Sequence, residues 1–184
     1  NKKDLDNASG LTQAMQKRLA LDEAAIKNIA NGVIEVINLS DPVGAITQMS
    51  RRPNGMQVGK KRVPIGVIFF IFESRPNVIV DAAALCVKSG NALVARGGKE
   101  AFNSNSIFCQ LIGQALEQAG LSKFSVQHLE DRSHEAIYQV VKMDQYVDLA
   151  VPRGRESLIR SVKENATVTV LAHERGLTHT YIDA

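Results

Sequence analysis

A chain of 184 residues is long enough for one domain with a real hydrophobic core and too short for two large ones. Its 45% apolar and 22% charged residues exclude a disordered polymer, and a net charge of +3, spread over scattered basic residues with short clusters such as Arg51-Arg52 and Lys60-Lys61-Arg62, argues against a nucleic-acid-binding face. No apolar run reaches the roughly 18 residues of a membrane span, the polar start is no signal peptide, and two cysteines build no disulfide framework, so a cytoplasmic protein is expected.

In chain order, residues 1–20 read as short helices broken at Gly10, with Thr12 as a cap for the second. Asp22 caps a longer helix in which Leu21, Ala25, Ile26, Ile29, Ala30, Val33, Ile34 and Ile37 recur at three and four, a stripe expected to face a core. That helix ends before Asp41-Pro42, because proline restricts its predecessor. Arg52-Pro53-Asn54-Gly55 between two polar-apolar arms predicts a hairpin.

The run 66–72 carries no polar side chain and is bracketed by Pro64 and Pro76. Its length and its aromatic and β-branched content predict a strand, and its apolarity on both faces places it centrally in a parallel sheet. A helix over 78–88 follows Asn77, whose side chain can cap it, and closes at Ser89-Gly90-Asn91, with Gly90 left-handed. Next come a strand at 92–95, a glycine loop, and a helix capped by Asn103 or Ser104 that stops near Gly120. The remaining pattern is a strand at 124–128, a helix at 133–141, a strand at 146–151, a helix near 156–164, and strands at 167–171 and 180–183. Alternating strands and helices predict an α/β, Rossmann-like, doubly wound parallel sheet with an N-terminal helical segment and a hairpin, all in one domain.

In such a sheet ligands lie beyond the carboxyl ends of the strands. Three loops occupy that edge: Glu73-Ser74-Arg75-Pro76-Asn77, Arg96-Gly97-Gly98-Lys99-Glu100 and Pro152-Arg153-Gly154-Arg155. Each sets a cation beside glycine or a helix start, where free N–H groups favour phosphate. There is neither a G-x-G-x-x-G nor a Walker loop, so an ordinary dinucleotide fingerprint and a simple kinase are disfavoured. Arg96 with Lys99 suits a ribose phosphate, whereas a carboxylate would select the free 2′-hydroxyl, which points to NADP over NAD.

Other chemistry finds less support. His128, His134, His173 and His179 are not at metal-ligand spacing, so no metal site is expected. Cys86 and Cys109 lie on apolar helical stretches and read as inert buried thiols. Glu73 and Arg75 flank a strand end, where they would either pair with each other or contact substrate.

The runs Arg62-Val63-Pro64-Ile65-Gly66, Phe72-Glu73-Ser74-Arg75-Pro76-Asn77-Val78, Lys88-Ser89-Gly90-Asn91-Ala92 and Arg96-Gly97-Gly98-Lys99-Glu100-Ala101 closely resemble the gamma-glutamyl phosphate reductase family of the aldehyde dehydrogenase superfamily. Asp41-Pro42-Val43-Gly44, Arg52-Pro53-Asn54-Gly55, Pro152-Arg153-Gly154 and the stretch from Gly176 to Asp183 fall in family order. The resemblance implies NADPH-dependent reduction of L-glutamyl 5-phosphate to L-glutamate 5-semialdehyde with phosphate release, the second step of proline biosynthesis. It implies a cysteine nucleophile that forms a thioester, homo-oligomerisation of the full-length enzyme, cofactor contacts at Arg96, Gly97, Gly98, Lys99, Pro152, Arg153 and Gly154, and substrate contacts at Glu73, Ser74, Arg75 and Asn77.

The family's cysteine motif comes after the strand at 180–183, so the resemblance places the nucleophilic cysteine beyond Ala184. Neither Cys86 nor Cys109 matches it, no catalytic residue is assigned, and residues 1–184 are read as the cofactor-binding part of a longer reductase. Arg155 stands where the family carries a small residue, and Leu177-Thr178 stands before His179 where it carries a cysteine. The alternative reading is a non-catalytic α/β module, or a degenerate paralogue, that binds phosphate-bearing ligands.

Overall fold

The computed structural model of the chain describes residues 1–173 and Tyr181. Helices α1 (Lys2–Asp6), α2 (Gln13–Leu19) and α3 (Glu23–Asn38) open it. Two caps sit where the sequence places them: Met15 N–H donates to Thr12 Oγ1 at 3.4 Å, and Ala25 N–H donates to Asp22 Oδ1 at 2.7 Å. Strands β1 (Ile46–Arg51) and β2 (Gln57–Lys61) then pair antiparallel as the expected hairpin. Its turn needs Gly55 at φ +87°, a conformation that glycine alone adopts without strain.

Five strands form the parallel sheet: β3 (Val67–Phe72), β4 (Ala92–Arg96), β5 (Val126–His128), β6 (Leu149–Arg153) and β7 (Thr169–Val170). Their order is β5-β4-β3-β6-β7, so the chain winds outward from β3 in one direction and then in the other, as a doubly wound fold requires. Helices α4 (Val78–Lys88) and α5 (Phe102–Gln118) cover one face, and α6 (His134–Val140) and α7 (Glu156–Asn165) cover the other. Alternation along β3 divides the core. Phe69 and Ile71 pack with Ile137, Val141 and Val162, while Phe72, flanked by the half-buried Ile68 and Phe70, packs with Ile79, Ala83 and Leu116. No helix among the described residues is long and apolar enough to cross a membrane.

Asn91, buried at the amino edge of the sheet, fixes where β3 begins. Its Oδ1 accepts Ile65 N–H at 2.6 Å and Gly66 N–H at 2.9 Å. Gly90 before it is left-handed at φ +72°, as the sequence predicts. On the other side of β3, Asp148 Oδ2 accepts Val67 N–H at 2.8 Å.

The structure corrects three expectations. The stripe of α3 does not face a core: no residue of α3 is buried, and Ile26, Ile34 and Ile37 are 54%, 54% and 63% exposed, because the helix leans mainly on α4. Strand β6 begins at Leu149 and runs through Pro152 to Arg153, since residues 143–147 are taken up by a turn in which Tyr146 and Val147 N–H both donate to Met143 O at 2.9 Å. Proline is tolerated near that strand's end because β7 pairs only as far as Ala150. Helix α5 starts at Phe102 and is capped by neither Asn103 nor Ser104. The strand expected at 180–183 falls outside the described residues apart from Tyr181, which belongs to no strand. Ala184, beyond which the nucleophilic cysteine is expected, falls outside them as well.

Candidate functional site

The sheet's order reverses between β3 and β6, and the loops that leave β3, β4 and β6 meet at that end of the sheet. They border a cleft of about 550 Å³. Six cationic side chains line it, Arg18, Arg75, Arg96, Lys99, Arg132 and Arg155, against two carboxylates, Glu73 and Glu100. Low-dielectric walls and a surplus of one sign focus the field, so the cleft selects anions.

The β3 loop is clasped on both sides. Ser74 Oγ donates to Glu100 Oε2 at 2.7 Å, which ties it to the β4 loop, and Arg155 N–H donates to Glu73 Oε1 at 3.0 Å, which ties it to the start of α7. Close approach explains the glycines. A Cβ on Gly98 would collide with Ser74 Oγ and Glu100 Oε2, one on Gly97 would overlap the amide of Asn105, and one on Gly154 would press on Glu73 and Leu158 at 3.1 Å. The Glu73–Arg155 side-chain separation of 3.9 Å between well-exposed groups adds little. Glu73 therefore meets Arg155 rather than Arg75, whose backbone N–H donates to Glu73 O at 2.7 Å.

Helix starts on this edge are not all free for a ligand, contrary to the simplest reading of the loops. Asp4 of α1 fills the start of α5: its Oδ1 accepts Asn103 N–H at 3.1 Å and Asn103 Nδ2 at 2.7 Å, and its Oδ2 accepts Ser104 N–H at 2.8 Å and Ser104 Oγ at 2.5 Å. Burial by itself would raise the Asp4 pKa, but the bonds from Ser104 and Asn103 outweigh it and hold the carboxyl below its ordinary 3.8. An anion supplied from about a hundred residues away thus replaces the local cap.

Of the predicted cofactor residues, Arg96, Gly98 and Lys99 line the cleft, while Gly97 lies behind it and Pro152, Arg153 and Gly154 do not border it. Of the predicted substrate residues, Glu73, Ser74 and Arg75 face the cleft; Asn77 does not border it, and its Nδ2 donates to Asp81 Oδ2 at 3.0 Å at the start of α4. Arg18 and Arg132 are additions that sequence reasoning missed. Arg132 lies over the Phe102 ring, 4.8 Å from its centroid, and its carbonyl accepts Arg96 Nη2 at 2.8 Å. Burial lowers the Arg96 pKa and the charges of Glu100 and Asp131 counter that, but a guanidinium stays cationic.

The other titratable groups suit structure better than chemistry. Burial pushes the Cys86 thiol up to about 11 and raises that of Cys109, so neither is a ready thiolate. Burial and the nearby Arg96 charge lower His128, although Glu130 opposes them. Its Nδ1 lies 3.5 Å from Ser106 Oγ, whose proton is given to Phe102 O at 2.8 Å. Among the described residues no group of three His, Cys, Asp or Glu side chains is placed to hold a metal ion.

No protein-family model matches the chain. It is 50% identical over 185 residues to the gamma-glutamyl phosphate reductase of Clostridium perfringens, an alignment that takes in 100% of this chain and 45% of that protein. The crystal structure of gamma-glutamyl phosphate reductase from Thermotoga maritima superimposes with a TM-score of 0.89 at 37% identity, over 92% of this chain and 42% of that one. Its counterpart from Saccharomyces cerevisiae gives 0.82 at 35%, over 95% and 45%. At the level of fold alone, propionaldehyde dehydrogenase from Rhodopseudomonas palustris matches 93% of this chain and 44% of its own, with a TM-score of 0.64 at 16% identity. The chain thus spans about 45% of the length of the curated relatives it matches.

Proposed function

Starting from a homology to gamma-glutamyl phosphate reductases that runs the whole length of the chain, we propose that it is the cofactor-binding part of an NADPH-dependent reductase of L-glutamyl 5-phosphate. The product is L-glutamate 5-semialdehyde, phosphate is released, and the reaction belongs to proline biosynthesis. The observation that carries this reading is the cleft at the sheet's switch point, with six cations against two carboxylates. The homology gives no support to a non-catalytic module.

The residues present fit a phosphorylated dinucleotide. Arg96, Lys99 and Arg132 converge beyond the end of β4 and offer guanidinium and ammonium donors to a 2′-phosphate. No carboxylate stands at the place of Lys99, where one would instead accept from a free 2′-hydroxyl. Gly97 and Gly98 bring the loop backbone close, and the loop is held in place by the Ser74–Glu100 bond. With the cofactor held by that phosphate, its nicotinamide would supply the hydride.

On the β3 side, Arg75 is exposed beside the cleft and presents its charge to the phosphate or carboxylate of the substrate. Ser74 keeps its hydroxyl proton committed to Glu100, so its part is to orient the loop rather than to donate to the reacting carbonyl. The raised thiols of Cys86 and Cys109 support assigning the nucleophile to neither; it is the family resemblance that assigns it to a cysteine of the longer reductase beyond Ala184.

A titration followed by nicotinamide fluorescence tests the assignment. The chain is expected to bind NADPH, and Lys99→Glu to weaken NADPH about tenfold or more while favouring NADH, because a carboxylate repels the 2′-phosphate. An unchanged ratio of the two affinities would remove Lys99 from the phosphate site. Silence of the unsubstituted chain at millimolar NADPH would remove the cofactor reading.

A further inference from the structure

Three buried side-chain polar atoms lack a hydrogen-bond partner among the described residues: Arg96 Nε, Asn105 Nδ2 and Asn105 Oδ1. Asn105 abuts Gly97 through its Nδ2, and Arg96 precedes Gly97 in the chain. Asn105 is completely buried on the second turn of α5, and its Nδ2 lies so close to the Gly97 backbone that no side chain fits between them. Arg96 is the residue before Gly97, with its Nη2 already committed to Arg132 O. A buried amide with neither end paired costs its desolvation without return, so such a group calls for a reason.

The other buried polar side chains among the described residues are paired: Asn91 with two backbone N–H groups, Asp4 and Ser104 with each other. The unpaired groups therefore belong to the end of β4 and the start of α5, on either side of the loop that lines the cationic cleft. That loop is also the one able to change. Its central peptide joins two glycines, and turning this peptide would carry Gly98 from φ −58° towards positive φ, which glycine adopts without penalty.

We propose that Asn105 is a positioning residue for the Gly97–Gly98 loop. When the phosphorylated cofactor binds, the peptide between the two glycines turns, its carbonyl accepts from Asn105 Nδ2, and its N–H points at the ligand. The amide is unpaired before the cofactor binds and paired afterwards, so part of the binding energy goes into setting the loop. This rests on the NADPH reading of the cleft.

The test uses Asn105→Leu, close in volume and without polar atoms. Removing an unpaired amide leaves the melting temperature unchanged or raises it, while NADPH affinity falls about tenfold, the loss of one hydrogen bond to the loop. A merely structural amide would give the opposite pair of results, a lower melting temperature with unchanged affinity, and that would overturn the proposal.

A second measurement needs no substitution. In the unsubstituted chain, the Asn105 side-chain NH2 resonance is expected to move and to exchange more slowly with solvent on addition of NADPH. An unmoved resonance in a chain that does bind NADPH overturns the role of Asn105 alone, even where Asn105→Leu fails to fold. Failure of the unsubstituted chain to bind NADPH sinks the cofactor reading and this inference with it.

Discussion

At the amino end of the parallel sheet, polar side chains are spent on the fold. Asn91 accepts two backbone N–H groups where β3 begins, and Asp148 accepts a third from Val67. At the carboxyl end of the same sheet, Arg96 and Asn105 keep donors and an acceptor unpaired, and six cations gather round a cleft. The two ends are built from the same strands, so the contrast is not one of architecture. It teaches that Asn91 and Asp148 are committed to setting where strands start, whereas Arg96 and Asn105 at the ligand edge leave pairing capacity open.

The largest effect expected from this contrast lies at the amino end. Asn91→Ala leaves the N–H groups of Ile65 and Gly66 without their acceptor in a half-buried place. A loss of about 3 kcal/mol in unfolding free energy is expected from two unsatisfied donors. Urea denaturation should show it as a lower midpoint at unchanged slope, and the NADPH affinity of the folded fraction should stay the same. A loss of affinity without a loss of stability would erase the distinction between the two ends.

A smaller effect tests whether the carboxyl end holds structural anions too. Asp4→Ala removes the carboxylate that caps α5, at an expected cost of about 1–2 kcal/mol near neutral pH. The sign of its pH dependence follows from the lowered pKa. The folded state binds the Asp4 proton less readily than the unfolded state, so the contribution is complete above about 3.8 and is lost as pH falls through the lower folded value. Melting curves of the parent and Asp4→Ala chains should differ at about pH 6 and converge in strong acid. A gap that persists undiminished there would mean that packing of α1, and not the charge of Asp4, sets its worth.

Much of the scaffold was readable from local chemistry. The apolar run 66–72 marked the central strand, Thr12 and Asp22 marked two helix starts, and Gly55 and Gly90 marked two turns, because each signal lies within a few residues of its effect. The α5 cap was not readable, since Asp4 reaches it from a separate helix and no local pattern records that meeting. Arg18 and Arg132 were missed for the same reason: each comes from an element outside the three glycine-bearing or proline-bearing loops and becomes part of the cleft only through the tertiary fold. The α3 stripe misled because periodicity reports which face is apolar and not whether another element covers it.

The smallest effect concerns the second helix start on the ligand edge. Asp4 at α5 is buried and accepts four hydrogen bonds, whereas Glu73 at α7 is exposed and accepts one N–H, from Arg155, at 3.0 Å. One carboxylate is locked in place and the other is displaceable. Glu73→Gln keeps an oxygen acceptor for that N–H and removes the charge, so its cost in stability should stay within about 0.5 kcal/mol. With the internal anion gone, inorganic pyrophosphate should bind about threefold more tightly, near 0.6 kcal/mol, because an incoming phosphate no longer meets a like charge beside Arg155. Calorimetric titration of pyrophosphate into both chains measures this. Weaker binding to Glu73→Gln would show that the carboxylate organises the anion site instead of competing for it, and would place Glu73 with Asp4 among the structural anions.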